Sequence, residues 1–289
     1  MESRISGHTK LFCLIGSPVG HSGSPAMYNY SFEKTGIDAA YLAFDIPLEK
    51  TGDAVQALKT LGAGGFNITM PDKTKVADYL DDISPAARLI GACNTVTVDA
   101  DGKLTGHNTD GVGFVRNLQE HGVEIAGKKM VLLGAGGAAT AICVQAALDG
   151  VSEIHIFNRK DAFYANGEFT VKKISEAVPG CKTTILPLEE EAALKVAIEE
   201  CDILVNATKV GMKPLDEQTL ADPSWFRKEL VVADTVYNPR ETRMIKEAKA
   251  AGCTAVGGIG MLLWQGVAAF KLFTGKDMPA QEVLEKFFS

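Results

Sequence analysis

The sequence has no cysteine pair at CxxC spacing. Its six cysteines (Cys13, Cys93, Cys143, Cys181, Cys201 and Cys253) are scattered, and no histidines stand near them at zinc spacing. A zinc ribbon or a dithiol redox motif is therefore excluded, and no metal is expected. Most of these thiols sit in apolar runs such as "LFCLIG" and "AICVQAAL", where cysteine behaves as a small hydrophobe. That pattern fits reduced thiols in a cytoplasmic protein. Basic charge is also short: 29 Lys and Arg against 36 Asp and Glu leave a net charge of −7. Without clustered cations to neutralise phosphates, nucleic acid is not an expected partner. Long apolar runs are missing too. "MLLWQGVAAF" is far too short to span a bilayer and contains Gln265, so no membrane partner is expected. The opening "MESRISGHTK" is polar, with no apolar stretch of signal-peptide kind behind it.

What is present is an ordinary globular composition, with 46% hydrophobic and 22% charged residues in a chain of 289. That length allows two domains, each with its own core. From Lys10 to about Asp110, short β-type runs ("KLFCLIG", "AAYLAFDI", "GGFNITM") alternate with helix-type stretches at Ser24–Thr35 and Glu49–Leu61. This spacing predicts an α/β layer with mostly parallel strands. "NTVTVDADGKLTGHNTDG" reads as a hairpin turning at Asp101-Gly102. A helix near Gly111–Gln119 then joins a second half that repeats the rhythm through "KKMVLLG", "SEIHIFNR", "CDILVNAT", "ELVVADTVY" and "CTAVGG". That is the pattern of a doubly wound α/β domain. Helical stretches follow Gly260, and the residues alone do not say which half they cover.

"VLLGAGGAAT" sets Gly134, Gly136 and Ala139 in G-x-G-x-x-G/A spacing between a strand and a helix. Gly134 permits a tight turn, Gly136 lets backbone approach a pyrophosphate, and the helix start offers unpaired N–H groups to the anion. A dinucleotide is the expected cofactor. Its identity stays open, because the next strand ends in Asn158, Arg159, Lys160 and Asp161. The cations suit the 2′-phosphate of NADP, while the carboxylate suits the free ribose of NAD. The reading is that either cofactor is used, with a modest lean to NAD.

The first half holds polar residues where apolar ones are expected. In "GGFNITMPDKTKV", Asn67 and Thr69 interrupt a strand and Lys73 follows Pro71. In "GSPVGHSGSP", Ser22 and Ser24 share a side, which fits a carboxylate receptor beside a helix start, although taken alone these residues favour a plain helix cap at Ser24. Asn94 heads a strand in "GACNTVTV", and Asp110 stands between strand and helix in "GHNTDGVGF". All fall at strand ends or helix starts, where ligands bind in open α/β sheets.

Taken in order, "GSPVGHSGSP", "GFNITMPDK", "GACNTV", "GHNTDG", "GAGGAA", "NATKVGM" and "GMLLWQG" resemble the shikimate dehydrogenase family. "FNRKDAF" is similar to its quinate/shikimate dehydrogenase branch, which accepts NAD or NADP. The resemblance implies a substrate domain over residues 1–112, a Rossmann domain over 113–260, and C-terminal helices at 261–289 folding back onto the substrate domain. It implies interconversion of shikimate and 3-dehydroshikimate, with quinate and 3-dehydroquinate as a second expected pair. Ser22 and Ser24 would then hold the carboxylate of a hydroxylated cyclohexane or cyclohexene acid. Asn67, Thr69, Asn94 and Gln265 would bind its hydroxyls, with help from Tyr41 and Tyr237. Lys73 and Asp110 would form the catalytic pair. Gly134, Ala135, Gly136, Gly137 and Ala138 would meet the pyrophosphate and Asn158, Arg159, Lys160 and Asp161 the adenosine end. Lys209, Thr235, Gly258 and Met261 would line the rest. Gly23 and Asp72 depart from the family pattern, and either could alter the pocket. A same-architecture dehydrogenase for another small substrate, or a sensor without turnover, is the alternative. A homodimer is compatible with the sequence.

Overall fold

The computed structural model describes residues 5–288. The outer limits expected for the domains, residues 1 and 289, fall outside them. Two compact units are present: one runs up to Thr109 and resumes at Gln265, the other is Asp110–Trp264.

In the first unit, the apolar run of β1 (Lys10–Gly16) becomes a central strand. Pro25 in the first turn and Gly36 at the left-handed cap (φ 66°) bound α1 (Ser24–Thr35). Next come β2 (Ala39–Asp45), α2 (Thr51–Thr60), β3 (Gly65–Ile68), β4 (Asp82–Ile83), α3 (Pro85–Ile90), β5 (Thr95–Val98) and β6 (Leu104–His107). The helix expected at Glu49–Leu61 is shorter, because Leu48–Lys50 winds as a tighter 3₁₀ turn before it. β3 likewise ends at Ile68, earlier than the alternation through Met70 suggests. The sheet order is β2-β1-β3-β5-β6-β4. β1 pairs parallel with β2 and β3, and β4 with β6, while β5 runs antiparallel to β3 and β6. The expected hairpin is the β5–β6 pair, and Gly102 (φ 77°) supplies the conformation its turn needs.

In the second unit, α4 (Asp110–Glu120), β7 (Lys129–Leu133), α5 (Gly137–Leu148), β8 (Glu153–Asn158), α6 (Tyr164–Ala177) and β9 (Lys182–Pro187) come first. After them stand α7 (Glu191–Glu200), β10 (Ile203–Asn206), β11 (Val231–Asp234), α8 (Arg243–Ala250), β12 (Thr254–Val256) and α9 (Ile259–Thr274). All strands of this unit are parallel, in the order β12-β11-β10-β7-β8-β9. Strands buried on both faces must be apolar throughout, and "MVLL" and "ILVN" in β7 and β10 are buried throughout. The order reverses between β7 and β10, which creates the crevice where such folds take dinucleotides.

The chain returns to the first unit partway along α9 and ends in α10 (Ala280–Phe287). Phe270 has no exposed surface and lies 5.5 Å from the Phe32 ring, and Phe273 lies 5.3 Å from that of Phe12. Glu282 accepts from the Tyr30 hydroxyl at 2.6 Å and pairs with Lys34 at 2.8 Å. The last helices therefore complete the core of the first unit, as expected. Among the described residues no helix is long and apolar enough to cross a membrane.

Candidate active site

In the first unit, β1 and β3 end on the same side, and antiparallel β5 enters the sheet from there. Register sets Asn67 opposite Leu14 on one side and Thr95 on the other. The Asn67 amide donates to the Asn94 carbonyl (3.2 Å) and to Thr95 Oγ1 (3.0 Å), and its Oδ1 accepts from the Tyr41 hydroxyl (2.7 Å). Thr95 Oγ1 donates to Asn94 Oδ1 at 2.9 Å, and Asn94 Nδ2 donates to Thr109 Oγ1 at 2.9 Å. Both asparagines are buried, at 6% and 3% exposure. A buried amide stripped of a partner costs roughly 1–3 kcal/mol, so each member of this row holds its neighbour in place. With both Nδ2 hydrogens used, Asn67 keeps acceptor capacity on Oδ1.

Tyr41 requires a correction. It pairs with Phe12 in the middle of its strand, not at the strand end. It has no exposed surface, and its ring stacks on Tyr28 at 4.4 Å. Burial drives its phenol well above the usual range. Its hydroxyl is directed at Asn67 and braces that amide.

Ser24 is the first residue of α1 and Gly23 occupies the cap, with no side chain capping. The plain capping role for Ser24 is thus absent. Ser22 Oγ accepts from Ser24 N–H at 3.2 Å, which holds the two hydroxyl-bearing residues together. Nothing lies within 4 Å of where a Gly23 side chain would start, so this departure leaves open space. Asp72 is fully buried, with its carboxylate bonded to the Thr51 hydroxyl, and it presents no atom to a pocket. It fixes the neighbouring loop instead. Val76 N–H donates to the Asp72 carbonyl at 2.9 Å, and Cys93 N–H to the Lys73 carbonyl at 2.8 Å. That second bond ties the half-buried Lys73 to the residue before Asn94. Gly16 (φ 146°) permits this convergence, because a Cβ there would lie 2.5 Å from Thr69 Cγ2 and 2.9 Å from the Met70 carbonyl. Gln265 is half-buried on α9, where the next carbonyl, of Gly266, accepts from Tyr28 at 3.2 Å.

In the second unit, Gly134 has φ 109°, and a Cβ on it would lie 2.8 Å from Thr208 Cγ2 and 2.9 Å from the Ala207 carbonyl. Only glycine fits this turn between β7 and α5, packed against the residues that follow β10. At Gly136 and Gly137 the situation reverses: a Cβ would meet nothing within 4 Å. Tight below and open above, with α5 beginning at Gly137, the turn fits a pyrophosphate. Asn158 ends β8 and donates to the Arg159 carbonyl (2.7 Å) and to Asp161 Oδ1 (3.0 Å). Asp161 Oδ1 also accepts from Phe163 N–H at 2.9 Å, and Arg159 stands 3.7 Å from Oδ2. Arg159 and Lys160 are exposed. Asp110 is the first residue of α4, and Met261 lies in the first turn of α9. Lys209 and Tyr237 are exposed on the loops after β10 and β11. Thr235 and Gly258 are brought together, since a Cβ on Gly258 would lie 2.6 Å from the Thr235 carbonyl.

A network that sequence reasoning missed sets those loops. Asp234 Oδ1 accepts from Asn206 Nδ2 and Val236 N–H, each at 2.9 Å, and Oδ2 accepts from Thr242 Oγ1 at 2.6 Å. Asn206 Oδ1 then accepts from the Thr208 hydroxyl at 2.7 Å, which starts the loop carrying Lys209. The signal was available: "ILVN" and "VVAD" are apolar strands ending in a polar residue. A shallow cleft of about 450 Å³ elsewhere on this unit, lined in part by Leu188, Trp225 and Arg243, contains none of the expected site residues. Among the described residues no group of His, Cys, Asp and Glu is placed to hold a metal ion.

A Rossmann sheet with a glycine turn at its switch point, in a chain with a second α/β unit holding a buried polar row, defines the class of two-domain dinucleotide-linked oxidoreductases. Comparison with known proteins narrows this. Residues 14–96 match the family model for the shikimate dehydrogenase substrate binding domain, and 258–286 that for the shikimate 5′-dehydrogenase C-terminal domain. The chain is 50% identical over 289 residues to a protein of Listeria monocytogenes named shikimate dehydrogenase (NADP(+)), covering all of this chain and 99% of the relative. A crystal structure of shikimate 5-dehydrogenase from Listeria monocytogenes with shikimate and NAD superposes with TM-score 0.96 at 50% identity, covering 99% of this chain and 98% of that one. Quinate dehydrogenase from Corynebacterium glutamicum, in complex with NAD, superposes with TM-score 0.87 at 32% identity, covering 97% and 99%. The chain belongs to the shikimate dehydrogenase family.

The Asp234 carboxyl is pushed up to about 6, chiefly by burial, against the hydrogen bonds that lower it. Because the folded state binds this proton more tightly than the unfolded chain, stability contributed here falls as pH rises from about 4 to about 6 and stays low above. Asp234→Asn keeps the acceptor for Asn206 and removes the titration. The stability difference between wild type and variant, measured by urea unfolding, should therefore shift toward wild type by roughly 2–3 kcal/mol between pH 7 and pH 4. A pH-independent difference would contradict this account of the network.

Proposed function

We propose that this chain oxidises shikimate to 3-dehydroshikimate, and reduces it in reverse, with NADP or NAD, and that quinate is a second substrate. The observation that carries the reading is the bonded row from Tyr41 through Asn67 and Asn94 to Thr109, with the loop of Lys73 tied to Cys93 beside it. Relatives named shikimate dehydrogenase along the full chain support it. The first unit is the substrate domain and the second the dinucleotide domain.

Oxidising a secondary alcohol removes a hydride from carbon and a proton from oxygen. The dinucleotide, held at Gly134–Ala138, supplies the hydride acceptor. Ser22 and Ser24 donate hydrogen bonds to the substrate carboxylate. Asn67, with its donors engaged inside the protein, accepts from a ring hydroxyl through Oδ1, and Thr69, Asn94 and Gln265 bind the others. Lys73 donates to the reacting hydroxyl and stabilises charge on its oxygen as the proton leaves. Asp110 is its catalytic partner in moving that proton. Tyr237 helps with the substrate, and Lys209, Thr235, Gly258 and Met261 line the nicotinamide half. Lys73→Ala should lower kcat at least a thousandfold while the Kd for NADP stays within threefold, measured by steady-state kinetics and calorimetry. Near-normal turnover would remove Lys73 from the chemistry.

The lean to NAD is not carried forward. Relatives carry NADP(+) in their names, and the exposed Arg159, 3.7 Å from Asp161 Oδ2, stands beside the one acidic side chain at this strand end. Dual use follows from that balance: Arg159 and Lys160 attract the phosphate, and Asp161 receives ribose hydroxyls when it is absent. Asp161→Ala should lower kcat/KM with NAD about tenfold and leave that with NADP within twofold. Equal losses would remove Asp161 from cofactor selection.

A further inference from the structure

We propose that Asn166, on α6, is a positioning residue of the dinucleotide site: it fixes the Ala135–Gly136 peptide so that the Gly136 N–H faces the pyrophosphate. The inference rests on the dinucleotide reading above. The starting point is which amides of the glycine turn have a direction imposed on them. Once α5 forms from Gly137, the N–H groups of Gly137 and Ala138 must point back along the helix axis. The Gly136 carbonyl is held as well, accepting from Thr140 N–H at 2.9 Å and from Thr140 Oγ1 at 3.2 Å. The peptide before it, between Ala135 and Gly136, lies outside the helix, and a glycine on its far side leaves it free to rotate.

Asn166 removes that freedom. Its Nδ2 donates to the Ala135 carbonyl at 2.6 Å and to Thr140 Oγ1 at 3.1 Å, using both amide hydrogens. A carbonyl oxygen only accepts, so the atom facing it must be the amide nitrogen. The peptide is not among the cis bonds, all of which precede proline. In a trans peptide C=O and N–H point in opposite directions. With the carbonyl held toward α6, the Gly136 N–H points away from it, and among the described residues no protein acceptor takes it. That N–H sits next to the open space above Gly136 and Gly137.

The placement of Asn166 is built in. A Cβ on the next residue, Gly167, would strike Ile185 and lie 3.1 Å from Ala135 Cβ, so glycine there lets α6 approach the turn. Thr170 Oγ1 donates to the Asn166 carbonyl at 2.8 Å and stands 3.3 Å from Thr140 Oγ1. Two threonines and one asparagine thus clamp α5, α6 and the turn together.

The test compares Kd for NAD and NADP, by calorimetry, in wild type, Asn166→Ala and Asn166→Asp. The alanine variant loses the clamp, and both Kd values should rise about tenfold with their ratio unchanged. The aspartate variant presents an acceptor to the carbonyl, favouring a turned peptide with the Ala135 oxygen toward the phosphates. Its Kd values should rise about a hundredfold, while kcat at saturation stays within twofold. A structural role alone would lower Tm and leave the order of the two variants unaccounted for. Alanine at an exposed helical position does not threaten folding, so it decides by itself if the aspartate variant fails to fold. Kd values within twofold of wild type in folded Asn166→Ala would overturn the inference while leaving the dinucleotide reading intact. A wild type that binds neither cofactor would overturn both.

Discussion

The satisfaction of two buried amides organises the substrate unit. Asn67 and Asn94 lie where an apolar side chain would be easier to bury, and the side-chain bonds that compensate Asn67 cross between strands. Asn67 reaches across to the Asn94 carbonyl and Thr95, and is itself held by Tyr41 from β2. Asn94 reaches onward to Thr109, one residue before Asp110. The antiparallel entry of β5 makes this possible, since it brings the head of one strand beside the tail of another. Orientation of the polar row is therefore a property of the sheet register. Losing one member exposes its neighbours to an unpaired buried amide.

The dinucleotide unit solves a related problem with backbone. Its turn is closed beneath by Gly134 against Ala207 and left open above at Gly136 and Gly137. The side chains that matter there work indirectly. Asn206 and Asp234 set the loops at the ends of β10 and β11, and Asn166 reaches the turn from α6. In both units the residues expected to touch ligand depend on a second set that does not.

That second set explains what could be read in advance. The doubly wound order was legible because buried parallel strands must be apolar and the glycine spacing has few other uses. Ser22, Ser24, Asn67, Asn94 and Asp110 stood out in the sequence as polar residues at strand ends or helix starts. Tyr41 entered the expected site only through the family resemblance, which does not give a residue's depth beneath the strand end. Asn166, Thr95 and Thr109 were not legible: an asparagine in a helix or a threonine in a strand is ordinary in sequence, and its partners lie far away along the chain. The burial of Asp72 was not legible for the same reason, since its partner Thr51 belongs to another element.

The most direct measurement is the initial rate of nicotinamide reduction with shikimate and with quinate, each paired with NADP and with NAD. The account predicts oxidation of shikimate with both cofactors, and of quinate at a lower kcat/KM. Silence in all four combinations, from folded protein that still binds the dinucleotide, would contradict it and would show that the row led by Asn67 and Asn94 serves a different substrate.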